Sequence, residues 1–164
     1  MGLDMKNLGD KEVRQFLTSH GLEKQIHSFT NSTENAYLAA EALGVELAQI
    51  VKSVVFLADG KPVLVLMSGD MNVDTKKLKN LLGVRRVRIA DAETVKAITG
   101  YPVGAVPPVA HRQSISTYLD KSLKRFSKIY PAAGTTTNMF RTTFGELLSL
   151  TAAEVIDVAA AKKK

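Results

Sequence analysis

Residues 50–69, IVKSVVFLADGKPVLVLMSG, decide how this chain folds: two β-rich runs flank Asp59-Gly60. An Asp-Gly pair tolerates the positive backbone angles of a tight hairpin turn, so the stretch predicts two antiparallel strands. In a two-residue loop Ala58 faces Lys61 as a hydrogen-bonded pair. Leu57 then faces Pro62 as a non-hydrogen-bonded pair, and the proline gives up no ladder bond. The same register sets Lys52 opposite Met67, on one face with Val54 and Phe56. A cation desolvated there needs a carboxylate, phosphate or carbonyl partner; the alternative is a lysine that snorkels from an edge into water.

Outward from the hairpin, capping residues and glycines mark the neighbouring elements. Asp10 before Val13, Phe16 and Leu17, with Gly21 after them, bounds a first helix. A short strand through Gln25, Ile26 and His27 follows. Ser32 or Thr33 is the expected cap of a second helix, with Ala36, Ala39, Ala40 and Leu43 on one stripe and Gly44 as a left-handed stop. Asp74 begins a helix carrying Leu78, Leu81 and Leu82, and Gly83 ends it. A strand at 86–89 and a helix from Asp91 to about Thr99 come next. Beyond residues 100–112 the pattern predicts strands at 115–119, 127–132 and 138–142, a helical turn at 121–125 and a helix at 144–149. Strands joined both by hairpins and by helices indicate one α+β domain with a mixed sheet over 1–164.

Composition narrows the function. The 164 residues contain no Cys, which excludes disulfides, thiolate metal sites and a cysteine nucleophile and suits a reducing cytoplasm. The apolar run 50–58 is interrupted by Lys52 and Ser53 and falls short of the ~20 residues that span a bilayer. The start MGLDMK lacks a secretory core, and Lys6 replaces the Ser or Thr of a myristoylation signal. Lys and Arg number 22 against 16 acids, for a net charge of +6. Lys162, Lys163 and Lys164 supply half of that excess, so the body carries +3, enough to permit phosphate contact without requiring it. Removing this tail is expected to matter little.

Among candidate chemical groups, Lys52 stands first. The segment GYPVGAVPPVAH, 100–111, holds two Gly and three Pro within nine residues and reads as a stiff, shaped loop. Its glycines admit a ligand to the backbone, and its amides can serve as preorganised oxyanion donors; a plain corner-turning loop is the alternative. The segment AAGTTTN, 132–138, offers Gly134 and hydroxyls to a polar ligand, or forms a Thr-rich turn. His20, His27 and His111 have no metal-ligand spacing, so neither metal nor cofactor is expected. No Gly-x-Ser-x-Gly elbow supports a serine triad. Asp120, before 121–125, reads as a helix cap.

Together QIHSF, AYLAAEALGV, QIVKSVVF, GYPVGAVPP, STYLDKSL and IYPAAG, in that order from about Gln25 to Thr151, resemble the YbaK/prolyl-tRNA synthetase-associated domain family. The resemblance implies a curved, barrel-like mixed sheet flanked by helices. It also implies a deacylase that hydrolyses the ester joining a wrong amino acid to the tRNA 3′ end, either as a freestanding protein or as a synthetase domain, with an aminoacyl-tRNA synthetase as a further partner; a length of 164 residues is expected of the freestanding form. Lys52 matches the family's functional lysine. Gly100, Gly104, Val106 and Pro107 match its glycine-rich substrate loop, in which Ala105 stands where members commonly carry a second glycine. Phe29 matches an aromatic lining position, and Gly134, with Thr135 and Thr136 after it, matches a second substrate-facing segment. The implied mechanism uses Lys52 as a charge anchor at the terminal nucleotide, loop amides to orient the ester and stabilise its oxyanion, and the ribose hydroxyl to help activate water. The competing reading is a non-catalytic module of the same fold that binds aminoacyl-tRNA or a synthetase.

Overall fold

The computed structural model of the protein describes residues 8–22 and 26–162. The expectations for Lys6, Gln25, Lys163 and Lys164 lie outside the described residues. Strands β2 (Ile50–Ala58) and β3 (Lys61–Ser68) pair in the register read from the sequence, with Ala58 opposite Lys61, Leu57 opposite Pro62 and Lys52 opposite Met67. Asp59 and Gly60 carry the positive angles such a turn requires, φ 49° and 81°.

Around the hairpin a six-stranded mixed sheet assembles. Its antiparallel part adds β5 (Val87–Ile89) to the end of β2. Its parallel part adds β6 (Ser116–Asp120) to β3, then β9 (Glu154–Ile156) to β6. A two-residue strand, β7 (Tyr130–Pro131), runs parallel to the start of β2. The expected strand at 127–132 is reduced to this pair, and its neighbours Ile129 and Ala132 form single bridges to Thr142 and Met139 instead. Two separate ribbons join β1 (Ile26–Ser28) to β8 (Asn138–Phe140) and β4 (Met71–Val73) to β10 (Ala159–Ala161). The α+β class and mixed sheet are as expected. The strands do not close into a barrel: β5 and β9 end the sheet, and the ribbons pair within themselves instead of bridging those edges.

Alternation along β2 and β3 separates two cores. Val51, Val55, Leu64 and Leu66 face one, with Val13 and Leu17 of α1 (Asp10–Ser19). Phe56, Val63, Val65 and Met67 face the other, with Val158 and with Leu78 of α3 (Thr75–Leu82). Helices α4 (Ala92–Thr99) and α3 begin at the expected Asp91 and Asp74 caps, and α3 ends at Gly83 in the left-handed region. Two start signals shift. Asp10 is the first residue of α1, and the Gly9 amide before it donates to Glu12 Oε1. Helix α2 (Ala36–Leu43) is capped by Asn35, whose Oδ1 accepts from Leu38 N, because Thr33 is spent on the Thr136 carbonyl. The last helix is α5 (Phe144–Thr151).

Asp120 is fully buried and performs two jobs. One carboxyl oxygen accepts from Ser122 N and caps the 3-10 turn Lys121–Arg125; the other accepts from Val158 N at 2.8 Å, tying the segment before β10 to β6. Asp120→Ala removes the acceptor of both amides, that of Val158 in a buried position. It is expected to destabilise the protein by about 1.5–3 kcal/mol or more, read as a lower urea midpoint.

Candidate functional site

The edge of β2 is only partly covered. β7 pairs with Ile50 and Val51, and β5 pairs with Phe56, Leu57 and Ala58. Even-numbered residues of β2 turn their N–H and C=O toward β3, so odd-numbered residues turn theirs outward. Val55 C=O finds Ala90 N at 2.9 Å, which leaves the backbone of Ser53 in the gap. The Ser53 hydroxyl is buried and has no hydrogen-bond partner among the described residues.

A cavity of about 280 Å³ fills this gap. It lies just below the usual small-molecule range of ~300–1,000 Å³ and suits a small group rather than a whole nucleotide. The floor is the open β2 edge; one wall is α2, through Ala36 and Ala39, and another is the loop Val103, Gly104 and Val106. The lining is mainly apolar, with Thr33, Glu34, Asn35, Lys52 and Ser53 as its polar members.

Lys52 resolves the choice posed by the sequence in favour of a carbonyl partner. Its half-buried ammonium donates to Met71 O on β4 and reaches Asn72 Oδ1 at 3.5 Å. Burial first, then the charge of Lys162, pushes its pKa down to about 8, against a smaller opposing pull from Asp70. Asp70 is itself held well below the usual carboxylate range, at about 2, chiefly by its hydrogen bond from Arg125. The guanidinium grips both Asp70 oxygens at 2.7 and 3.0 Å and also donates to Ser68 Oγ. That clamp fixes the turn from which the Met71 carbonyl projects.

The stiffness expected of 100–111 has identifiable causes. Ala105 N donates to Pro102 O, the Tyr101 hydroxyl donates to Ala110 O, and His111 Nε2 bonds to Pro107 O at 2.6 Å. A carbonyl only accepts, so Nε2 carries the proton; burial lowers the His111 pKa and raises that of the Tyr101 phenol. Both side chains therefore act as neutral braces. The amides of Val103, Gly104 and Val106 have no partner among the described residues and remain available as donors.

The structure thus brings Lys52, Gly104 and Val106 to one cavity. Ala105 is fully buried behind the lining, and its amide is already used. Phe29 and Pro107 also lie off the lining, as do Gly100, Gly134, Thr135 and Thr136. The reason for Gly100 and Gly134 is chain-to-chain approach: a Cβ would stand 2.6 Å from Leu8 Cδ1 at the first and 2.8 Å from the Gly9 backbone at the second. Thr135 Oγ1 is closed onto Asn138 Oδ1, and the Thr136 carbonyl receives Thr33. Sequence reading missed Ser53 and the α2 wall. A lone serine on the core-facing side of a strand was the available signal for Ser53. Among the described residues no group of three His, Cys, Asp or Glu side chains could hold a metal, and no helix is long and apolar enough to cross a membrane.

Comparison with known proteins adds the chemistry. A family model described as an aminoacyl-tRNA editing domain matches residues 30–150. The uncharacterized protein YwhH of Bacillus subtilis (strain 168) is 33% identical over 90% of this chain and 95% of its own. A proline–tRNA ligase of Desulfovibrio desulfuricans (strain ATCC 27774 / DSM 6949 / MB) is 48% identical over 50% of this chain, a match that spans only 14% of the ligase. In shape, a crystal structure of a proposed trans-editing enzyme for prolyl tRNA synthetase superposes with a TM-score of 0.85 at 34% identity, covering 98% of this chain and all of that one.

Two outcomes follow from the site's geometry. Gly104 has φ 91°, and a Cβ there would stand 2.7 Å from the Glu34 carbonyl oxygen. Gly104→Ala is therefore expected to lose about 1–3 kcal/mol in a denaturant titration, through strain and displacement of the 30–35 segment. In an NMR titration of ¹³C-labelled lysines, Lys52 is expected to deprotonate near pH 8, below the ordinary lysine value. A contact that needs its ammonium is then present below pH 8 and lost as pH rises through it; a Lys52 midpoint with the surface lysines contradicts this.

Proposed function

The chain belongs to the aminoacyl-tRNA editing domain family, and on that basis we propose that it hydrolyses the ester of mischarged tRNA in the cytoplasm, acting as a trans-editing deacylase. The observation that carries this reading is the small, mostly apolar cavity on an open strand edge with a half-buried lysine at its border. Such a site accepts a short side chain, supplies backbone and hydroxyl groups for the polar part of an aminoacyl ester, and sets a positive charge beside it.

The reaction adds water to the ester carbonyl carbon, breaks the bond from that carbon to the ribose oxygen, and returns a proton to the leaving oxygen. The products are a free amino acid and a tRNA with its terminal hydroxyl restored. The free amides of 103–106 would orient the ester and stabilise the oxyanion that forms when water adds. Glu34, the acidic residue of the lining, has the charge to meet an α-ammonium group, and Ser53 can accept from it or donate to the ester. Lys52 anchors negative charge at the terminal nucleotide. No lining side chain has the pairing of an activated base, which favours help from the substrate's own ribose hydroxyl in deprotonating water. The cavity's size favours small amino acids.

The test is turnover of a panel of alanyl, cysteinyl, seryl and prolyl tRNAs beside simple aminoacyl esters. The wild-type protein is expected to release amino acid from at least one small-side-chain charged tRNA. Lys52→Ala should lose about 100-fold or more, the scale of removing one preorganised charge-stabilising group, while keeping its circular dichroism spectrum. Lys52→Arg should recover part of the loss. No turnover anywhere in the panel, with retained binding of charged tRNA, would favour the non-catalytic module; turnover of simple esters alone would indicate a different hydrolase.

A further inference from the structure

The C-terminal strand delivers a second lysine to the same region. β10 runs antiparallel to β4, with Ala160 opposite Asn72 and Ala161 opposite Met71. Alternation puts Lys162 on the face shared by Ala160 and Asn72. Asn72 Oδ1 and Met71 O are the groups that hold the Lys52 ammonium. Lys162 Nζ lies 4.7 Å from the centroid of the Tyr37 ring. Tyr37 is 63% exposed and follows Ala36, a cavity-lining residue, in the first turn of α2. A solvent-facing aromatic ring beside the lining residue Ala36, and a second lysine on the ribbon that holds Lys52, are therefore joined into one rim from distant parts of the chain.

Electrostatics gives this meeting a direction. Lys162 acts on Lys52 as an unfavourable like charge, and Asp70, the acid that opposes it, is already committed to Arg125. Such a rim gains most from an incoming anion that sits between the ammonium groups. The exposed ring beside it offers a flat apolar surface, and bases stack on aromatic rings whatever their sequence.

We propose that Lys162 and Tyr37 form, with Lys52, an outer subsite that takes a phosphodiester group of the tRNA acceptor strand and stacks a base next to it. The proposal rests on reading the cavity as an aminoacyl-tRNA site, and it revises the expectation that the C-terminal lysines matter little. The ring and Lys162 hold the RNA end while the cavity receives the aminoacyl group.

The experiment is binding of an uncharged hairpin RNA ending in CCA, followed by fluorescence anisotropy over a range of salt concentrations. Lys162→Ala is expected to weaken binding severalfold and to reduce the slope of log affinity against log salt by about one, the signature of one lost phosphate contact. Lys162→Arg should retain most of the affinity. Tyr37→Ala should weaken binding while Tyr37→Phe, which keeps the ring, should not. Lys61→Ala is the control for general charge, since Lys61 is exposed and lies at the far end of the hairpin, ~20 Å along the strands from Lys52. Equal losses for Lys61→Ala and Lys162→Ala, or unchanged affinity and slope for Lys162→Ala, would overturn the subsite. Lys162-dependent hairpin binding by a protein that hydrolyses no charged tRNA would refute the deacylase reading and still support the subsite. Hydrolysis with Lys162→Ala neutral in hairpin binding would refute the subsite alone.

Discussion

The site depends on one strand edge that the sheet leaves uncovered. β2 is held on one side by the whole length of β3, but on the other only by β7 at its start and β5 at its end. An unpaired edge in a sheet is ordinarily a liability, managed by charge, proline or a covering element. Here the covering elements are α2 and the loop at 103–106, which stand off from the edge far enough to leave a cavity. The hydrogen-bonding capacity that sheet formation leaves unused at Ser53 becomes available to a ligand.

The charge arrangement follows from the same hairpin. Lys52 belongs to the face of β2 whose other residues are apolar, and its ammonium is satisfied by a backbone carbonyl that depends on the β3–β4 turn. Arg125, Asp70 and Ser68 lock that turn, so a half-buried cation is positioned by a fully bonded polar network. A lysine held this way retains a positive field without a carboxylate directly neutralising it, which is the condition for attracting an anionic ligand. Neutral braces do the corresponding work on the opposite wall, where His111 and Tyr101 fix the loop through backbone carbonyls.

Local features were the most legible in the sequence. The Asp59-Gly60 turn fixed the register of eight residues on each side of it because alternation and turn chemistry agree there, and Gly44 and Gly83 stop their helices where they should. Long-range partners were not legible. Residues 159–161 are alanines without strand alternation, so nothing announced their pairing with β4 or the arrival of Lys162 beside Lys52. Ser32, Thr33 and Asn35 all have side chains able to cap α2, and the distant Thr136 carbonyl takes Thr33 while Asn35 accepts from Leu38 N. Gly100 and Gly134 read as places for a ligand because glycine in a loop permits close approach; the approaching groups are Leu8 and Gly9 of the chain itself. Gly104 alone among these glycines combines a tight chain contact with a place in the cavity wall.

The central claim is that the gap in the β2 edge is where an aminoacyl group sits. A crystal structure with a non-hydrolysable adenosine carrying alanine through a 3′-amide tests it most directly. The account predicts the alanyl group between Ser53 and the Val103–Val106 loop, with a polar atom in hydrogen-bond reach of the Ser53 hydroxyl or backbone. An analogue bound elsewhere, with the cavity at Ser53 filled only by solvent, would contradict it.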